Sequence, residues 1–247
     1  MNHLQLPIPE YRRKGLSLLG HACALYFKNI IPILILVAMI TIPVEAIKNY
    51  YFFEQEDSLL FFEANSTDNM VSLFFLCVIT PMVIYYILAR MTGVSGGIML
   101  PILWGLRKWP RMIAYNFLHS VIIVAGIVMF VVPGLLFAVW LMLMPIVVSI
   151  ADTSRINPMT VSRDLARGRY FRFVGYAIGG YSVFIVFTSI LVFIFSLFVN
   201  QSWITATIFD LCLGLFSQLI TIVLLLVFLQ VNTEWNNDAL NSTDQAD

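Results

Sequence analysis

Charged side chains are scarce in this chain of 247 residues. Lysine and arginine number 14, aspartate and glutamate also number 14, and the four types together make up 11% of the sequence. Apolar residues account for 60%, which is more than a soluble domain of this length carries. The composition therefore excludes an ordinary soluble domain and indicates a chain surrounded mostly by lipid. The expected partners are membrane lipids, and no nucleic-acid partner is expected.

Cysteine and histidine are also few and scattered. Cys23, Cys77 and Cys212 each lie within an apolar stretch with no second cysteine nearby, so the sequence predicts neither a disulfide framework nor a zinc site. The histidines include no two at metal-ligand spacing. The sequence also lacks a phosphate-binding loop, a nucleophile elbow and a zinc-protease signature. We therefore expect no metal, no cofactor and no catalytic residue, and hence no enzyme.

Long apolar stretches dominate the rest of the sequence. A helix needs about 20 such residues to cross about 30 Å of hydrocarbon, and six stretches qualify. They cover residues 22–47, 71–91, 112–130, 134–150, 173–199 and 203–231. The expected fold is an all-α bundle of six transmembrane helices in a single domain. A polar tail over residues 232–247 follows, and we expect it to be cytoplasmic and disordered.

Two further segments predict amphipathic helices at the membrane interface. In residues 93–111, apolar side chains recur at helical spacing ahead of a basic group. In residues 157–167, Asn157 is the expected N-cap and Pro158 the first helical residue. We expect the basic residues in and after these segments to contact anionic lipid headgroups. They are Arg107, Lys108, Arg111, Arg163, Arg167, Arg169 and Arg172.

The cations are distributed unequally between the two sides of the predicted bundle. Six crossings place both termini and both amphipathic segments on the same side. Of the 14 lysines and arginines, only Lys48 falls on the other side. Because cationic segments resist translocation, this asymmetry predicts that both termini are cytoplasmic. The acidic loop over residues 48–69 is then the one substantial external feature.

Polar side chains within the predicted spans are the candidates for an intramembrane site, since burying them in lipid costs free energy. Asp210 is either a protonatable group or a hydrogen-bonding group that fixes helix packing. Glu45 lies at a similar depth and would meet Asp210 as a repelling or proton-sharing pair. Asn116 and His119 share one helix face, where they line a polar cavity or bond a neighbouring helix. Gln218 lies near the middle of the last span and completes this set.

Three motifs stand out between residues 131 and 173. They are Val131-Val132-Pro133-Gly134, the stretch Met144-Pro145-Ile146-Val147-Val148, and Ser162, Leu165 and the basic-aromatic residues from Arg167 to Arg172. With these motifs the segment resembles the YciC family of bacterial inner-membrane proteins and, more distantly, the membrane domain of some glycerophosphodiester phosphodiesterases. The resemblance implies a multi-pass protein of the bacterial inner membrane, without a catalytic group and connected to the envelope.

Two functional hypotheses follow. In the first, the protein is a non-enzymatic inner-membrane protein that binds lipid, or serves as a scaffold or accessory protein of the envelope, through its basic helices. In the alternative, it is a small transporter or lipid translocator with a polar path around Asp210 and His119. The sequence is compatible with a homo-oligomer and with an envelope protein partner.

Overall fold

The structure is a computed structural model that describes residues 6, 8–54, 70, 71, 73–94, 97–129, 131–153, 155–197 and 202–243. Every regular element in these ranges is helical, which confirms the all-α expectation. The helices are α1 (Leu16–Lys28), α2 (Ile30–Glu54), α3 (Ile79–Met91, preceded by a 3-10 turn over Leu76–Val78), α4 (Met99–Met129), α5 (Val131–Leu141), α6 (Met144–Ile150), α7 (Pro158–Ala166), α8 (Tyr170–Leu197) and α9 (Trp203–Thr243).

Four of the described helices are long and apolar enough to cross a membrane, which indicates a membrane protein. The candidate spans are Ile30–Tyr51, Met99–Val128, Tyr170–Leu197 and Trp203–Trp235. The sequence predicted two more, over residues 71–91 and 134–150. In those regions the structure has two shorter apolar helical stretches. They are Leu76–Met91, which comprises the 3-10 turn and α3, and Leu136–Ile150, which comprises the second half of α5, a short turn and α6. Residues 198 and 199 of the predicted fifth span lie outside the described residues.

The predicted first span, residues 22–47, is divided at Asn29. The side-chain amide of Asn29 donates to the Leu25 carbonyl at 2.8 Å, and such local bonds compete with the helical pattern. Pro32 follows three residues later and has no N–H to donate to the Lys28 carbonyl. Arg90 donates through Nε to Asn29 Oδ1 at 3.4 Å. The apolar helix α2 therefore starts at Ile30, and α1 is a separate element.

The separation predicted between an amphipathic helix over residues 93–111 and a span over residues 112–130 is wrong, because α4 is one continuous helix. Pro110 removes one backbone donor, but two tryptophan contacts in the turns before that position hold the helix. Trp104 Nε1 donates to the Ser149 carbonyl at 3.0 Å, and Trp109 Nε1 donates to the Phe74 carbonyl. The basic residues Arg107, Lys108 and Arg111 are thus part of a helix that packs into the bundle.

The start of α7 is as predicted. Asn157 is its N-cap and accepts a hydrogen bond from the Met159 N–H at 3.0 Å, with Pro158 as the first helical residue. Ser162 donates to the Trp140 carbonyl at 2.7 Å, which fixes α7 against α5. Leu165 is buried, whereas Arg163 and Arg167 are exposed.

The last helix, α9, continues through the first part of the predicted disordered tail to Thr243. The reason is tertiary contact, because every residue from Ile222 to Thr233 except Leu224 is buried. The Thr233 hydroxyl accepts a hydrogen bond from the Tyr11 N–H at 3.1 Å. This bond ties the amino-terminal segment to α9. Residues 244–247 lie outside the described part of the chain.

Candidate functional site

A cleft opens between α2, α4, α8, α9 and the segment that leads into α3. Its volume is about 1220 Å³, which exceeds the roughly 300–1,000 Å³ of typical small-molecule sites. None of the described residues that line it is aspartate, glutamate, lysine or arginine. The lining nevertheless contains neutral polar side chains within apolar surroundings. Those used below are Thr41, Asn116, His119, Ser217 and Gln218.

The α4 wall of the cleft contains Asn116 and His119, which lie one turn apart on the same helix face. His119 Nε2 is buried and has no hydrogen-bond partner among the described residues. A buried polar group left without a partner costs about 1–3 kcal/mol. His119 therefore has an unused donor or acceptor, and its side chain forms part of the wall of the cleft.

The opposite wall has two similar groups, one on α2 and one on α9. Gln218 is 6% exposed and Thr41 is 1% exposed. Gln218 Nε2 donates to the Gly214 carbonyl at 3.3 Å and to Ser217 Oγ at 3.1 Å. Its Oε1 atom and the Thr41 hydroxyl find no partner in the described ranges. A Cβ atom built on Gly214 would lie 3.6 Å from Thr41 Oγ1. Because Gly214 lies one turn before Gln218 on α9, the Thr41 hydroxyl and the Gln218 side chain are separated by about one turn of that helix.

Apolar side chains flank the mouth of the cleft. On α4, Val124 is 60% exposed and Phe117 is 57% exposed, and Tyr181 on α8 is 59% exposed. All three also line the cleft. Exposed apolar surface of this kind is costly in water and favourable in hydrocarbon. The cleft therefore suits an amphipathic molecule with an apolar part at the mouth and a polar part near Gln218.

Asp210 does not line this cleft; it belongs to a separate ionic cluster. Lys48 Nζ lies 3.4 Å from Asp210 Oδ2 and forms a closer salt bridge with Glu45. Asn49 Nδ2 donates to Asp210 Oδ2 at 3.0 Å and to Thr207 Oγ1 at 3.3 Å. Glu45 and Asp210 interact with one another as expected, and Lys48, which was not part of that expectation, contacts both carboxylates.

The seven basic residues predicted to contact lipid have different environments in the structure. Arg107, Arg163 and Arg167 are exposed, with Arg163 beside Asp164 at 3.6 Å. Arg111 is 3.4 Å from Asp152. Lys108 is only 2% exposed and donates to the Ala151 carbonyl at 2.6 Å. The structure therefore corrects the predicted contact between Lys108 and a lipid headgroup. The amine of Lys108 is buried and contributes to packing between helices instead.

Arg169 and Arg172 meet a carboxylate of the chain itself. Arg172 Nη1 lies 2.9 Å from Glu234 Oε2, and Arg169 Nε lies 3.4 Å from the same oxygen. Lys14 reaches Glu234 Oε1 at 2.8 Å. These contacts join α8, α9 and the amino-terminal segment at one end of the bundle. We name this group, Lys14, Arg169, Arg172 and Glu234, the basic end.

Thr41, Ser217 and Lys48 were not among the site residues predicted from the sequence. Thr41, Glu45 and Lys48 recur at helical spacing along α2, and that polar stripe was the signal that could have identified two of them. Within the described ranges, no group of three or more potential ligands could hold a metal ion. Cys23, Cys77 and Cys212 are free.

Fold and cleft together define an all-α membrane protein with at least four helices able to span the bilayer. No family model matches the sequence, and neither a curated protein nor a solved structure is significantly similar to it.

Proposed function

We propose that this chain is a multi-pass protein of the bacterial inner membrane that binds membrane lipid and has no catalytic role. Both termini are cytoplasmic in this proposal, and the short helices Leu76–Met91 and Leu136–Ile150 complete a six-span bundle with the four long ones. The cation asymmetry of the sequence supports the orientation, since Lys48 is the one cation on the outer side.

The observation that carries the proposal is the cleft itself. Its mouth is apolar and its interior presents neutral polar groups, which is the distribution that an amphipathic lipid requires. Three of those groups, on Thr41, His119 and Gln218, have no hydrogen-bond partner in the described part of the chain. Since buried polar groups are normally paired, a bound lipid would supply the missing partners.

A second lipid contact is proposed at the protein surface. Arg107, Arg163 and Arg167 are exposed, and cations near a membrane surface attract anionic headgroups by about 1 kcal/mol each. The amphipathic character of α7 and of the first part of α4 supports this contact, with Lys108, Arg169 and Arg172 excluded because they are paired within the protein.

Lipid retention after purification tests both contacts. Val124→Trp should fill the cleft mouth and strongly reduce the lipid that co-purifies with the protein, measured by mass spectrometry. Val192→Trp is the matched control, because Val192 is similarly exposed at 51% on α8 but does not line the cleft. The pair Arg163→Gln and Arg167→Gln should reduce anionic lipid selectively. Equal lipid retention by the wild type and Val124→Trp would refute the cleft proposal.

The translocator hypothesis is the second candidate, and the unpaired polar groups along the cleft favour it. It differs in one measurable respect, because a translocator moves labelled lipid between the leaflets of a reconstituted vesicle. Asp210 is an unsuitable residue for that path, since Lys48 and Asn49 occupy its carboxylate. Transfer that is abolished by His119→Phe and preserved in Asp210→Asn would favour the translocator.

A further inference from the structure

We propose that the cleft selects a lipid whose headgroup is uncharged and carries a hydroxyl group, such as a diacylglycerol, in preference to an anionic phospholipid. This inference rests on the proposed lipid-binding function and adds the chemical class of the ligand. Its evidence is the identity of the unpaired atoms, the absence of charge from the described lining, and the position of the nearest ionic groups.

One of the unpaired atoms, Gln218 Oε1, requires a ligand that donates a hydrogen bond. The Gly214 carbonyl can only accept a hydrogen bond, so the amide nitrogen of Gln218 points toward it. Oε1 of Gln218 is left without a partner among the described residues. Oε1 is an acceptor only. The Thr41 hydroxyl nearby can donate or accept. One hydroxyl group on the ligand can therefore donate to Gln218 and accept from Thr41.

Charge complementarity argues against a phosphate in the cleft. The described lining contains no lysine or arginine, so a phosphate placed beside Gln218 would lose its hydration without gaining a counter-charge. The acidic residue nearest along α9, Asp210, lies outside the cleft and contacts Lys48. An uncharged headgroup meets no such penalty, because hydrogen bonds alone satisfy a hydroxyl.

The apolar walls fit the remainder of such a lipid. Val121, Val124 and Val128 on α4, Phe184 on α8 and Ile220 on α9 all line the cleft. These side chains offer contact to acyl chains and no polar group. The depth order, with neutral polar atoms inside and apolar residues at the mouth, places the hydroxyl inward and the chains outward.

Native mass spectrometry of the purified full-length chain can measure this selectivity. The added lipids are dioleoylglycerol, its acetylated ester, which lacks the hydroxyl, and dioleoylphosphatidic acid, which carries the charge. We expect dioleoylglycerol to bind on the order of tenfold more tightly than either comparison lipid, which corresponds to one hydrogen bond.

Two variants separate a ligand contact from a structural role. Thr41→Val and Gln218→Met keep the side-chain volume and should each weaken dioleoylglycerol binding on the order of five- to tenfold. Thr188→Val is the matched control, because the Thr188 hydroxyl is also buried without a partner in the described ranges but lies outside the cleft. Both threonine variants should retain the wild-type melting temperature.

The outcomes distinguish the inference from the function on which it rests. Preference for dioleoylglycerol that is lost in Thr41→Val and kept in Thr188→Val supports the inference. Equal binding of phosphatidic acid or of the acetylated ester, blocked by Val124→Trp, would overturn the inference and leave lipid binding in place. If no lipid binds saturably and Val124→Trp changes nothing, both proposals fail.

Discussion

Lys48 is the residue whose environment most clearly links packing to electrostatics. Its side chain is 10% exposed and contacts Glu45 and Asp210, so one cation serves two carboxylates. Burial strengthens such interactions because screening by water is reduced, but it also makes an unpaired charge costly. The cluster joins α2 to α9 at the end of the bundle opposite the basic end, and it therefore fixes the position of one wall of the cleft.

We predict that Lys48→Met destabilises the protein by about 3–5 kcal/mol, the cost of leaving buried charges without their partner. Lys28→Met is the control, because Lys28 is an exposed cation at the end of α1 and its loss should cost at most about 1 kcal/mol. Adding Asp210→Asn should recover part of the loss, since it removes one of the two unpaired carboxylates. Denaturant unfolding in detergent provides the measurement, and equal stability of the two lysine variants would contradict this account.

At the scale of elements, the crossing of α3 and α4 is set by Gly105. A Cβ added at Gly105 would collide with the buried Met82 side chain and lie 3.1 Å from the Val78 carbonyl oxygen. The absent side chain lets the two helices approach closely, as small residues do in membrane bundles. This approach holds the first part of α4 within the bundle, and the second part of α4 then forms one wall of the cleft.

Gly105→Ala should therefore destabilise the protein by about 1–3 kcal/mol through overpacking. Gly175→Ala in α8 is the matched substitution, because a Cβ there meets nothing within 4 Å and alanine is favoured over glycine in a helix by about 1 kcal/mol. We expect opposite signs for the two changes in the melting temperature of the purified protein. A stabilising effect of Gly105→Ala would refute the close crossing.

The elements that could be predicted from sequence are those specified by local chemistry. Asn157 and Pro158 define the start of α7 because capping depends on neighbouring atoms. The continuity of α4 could not be predicted, because the bonds of Trp104 and Lys108 to residues 149 and 151 come from distant parts of the chain. The break at Asn29 had a local signal in Asn29 and Pro32, but the apolar stretch over residues 22–47 is long enough for one span, and it was predicted as one.

Over the whole molecule, the tightly packed core and the open cleft lie in different regions. The buried part of α9 from Ile222 to Thr233 forms a core with α1, α3 and α6, whereas the second half of α4 and much of α8 expose apolar side chains beside the cleft.

The residue types of the site were predictable, since polar side chains stand out within apolar stretches. Their grouping was not, because Asn116 and His119 on α4 reach the same cleft as Gln218 on α9 only in the folded bundle, and Asp210 lies outside that cleft.

The most direct test of lipid binding in the cleft is a structure determined by electron microscopy in lipid nanodiscs that contain dioleoylglycerol. We expect elongated lipid density between α4 and α8, with its polar end within hydrogen-bonding distance of Gln218 Oε1 and Thr41 Oγ1. A cleft that is closed by neighbouring helices, or that contains no lipid density under these conditions, would refute lipid binding in the cleft.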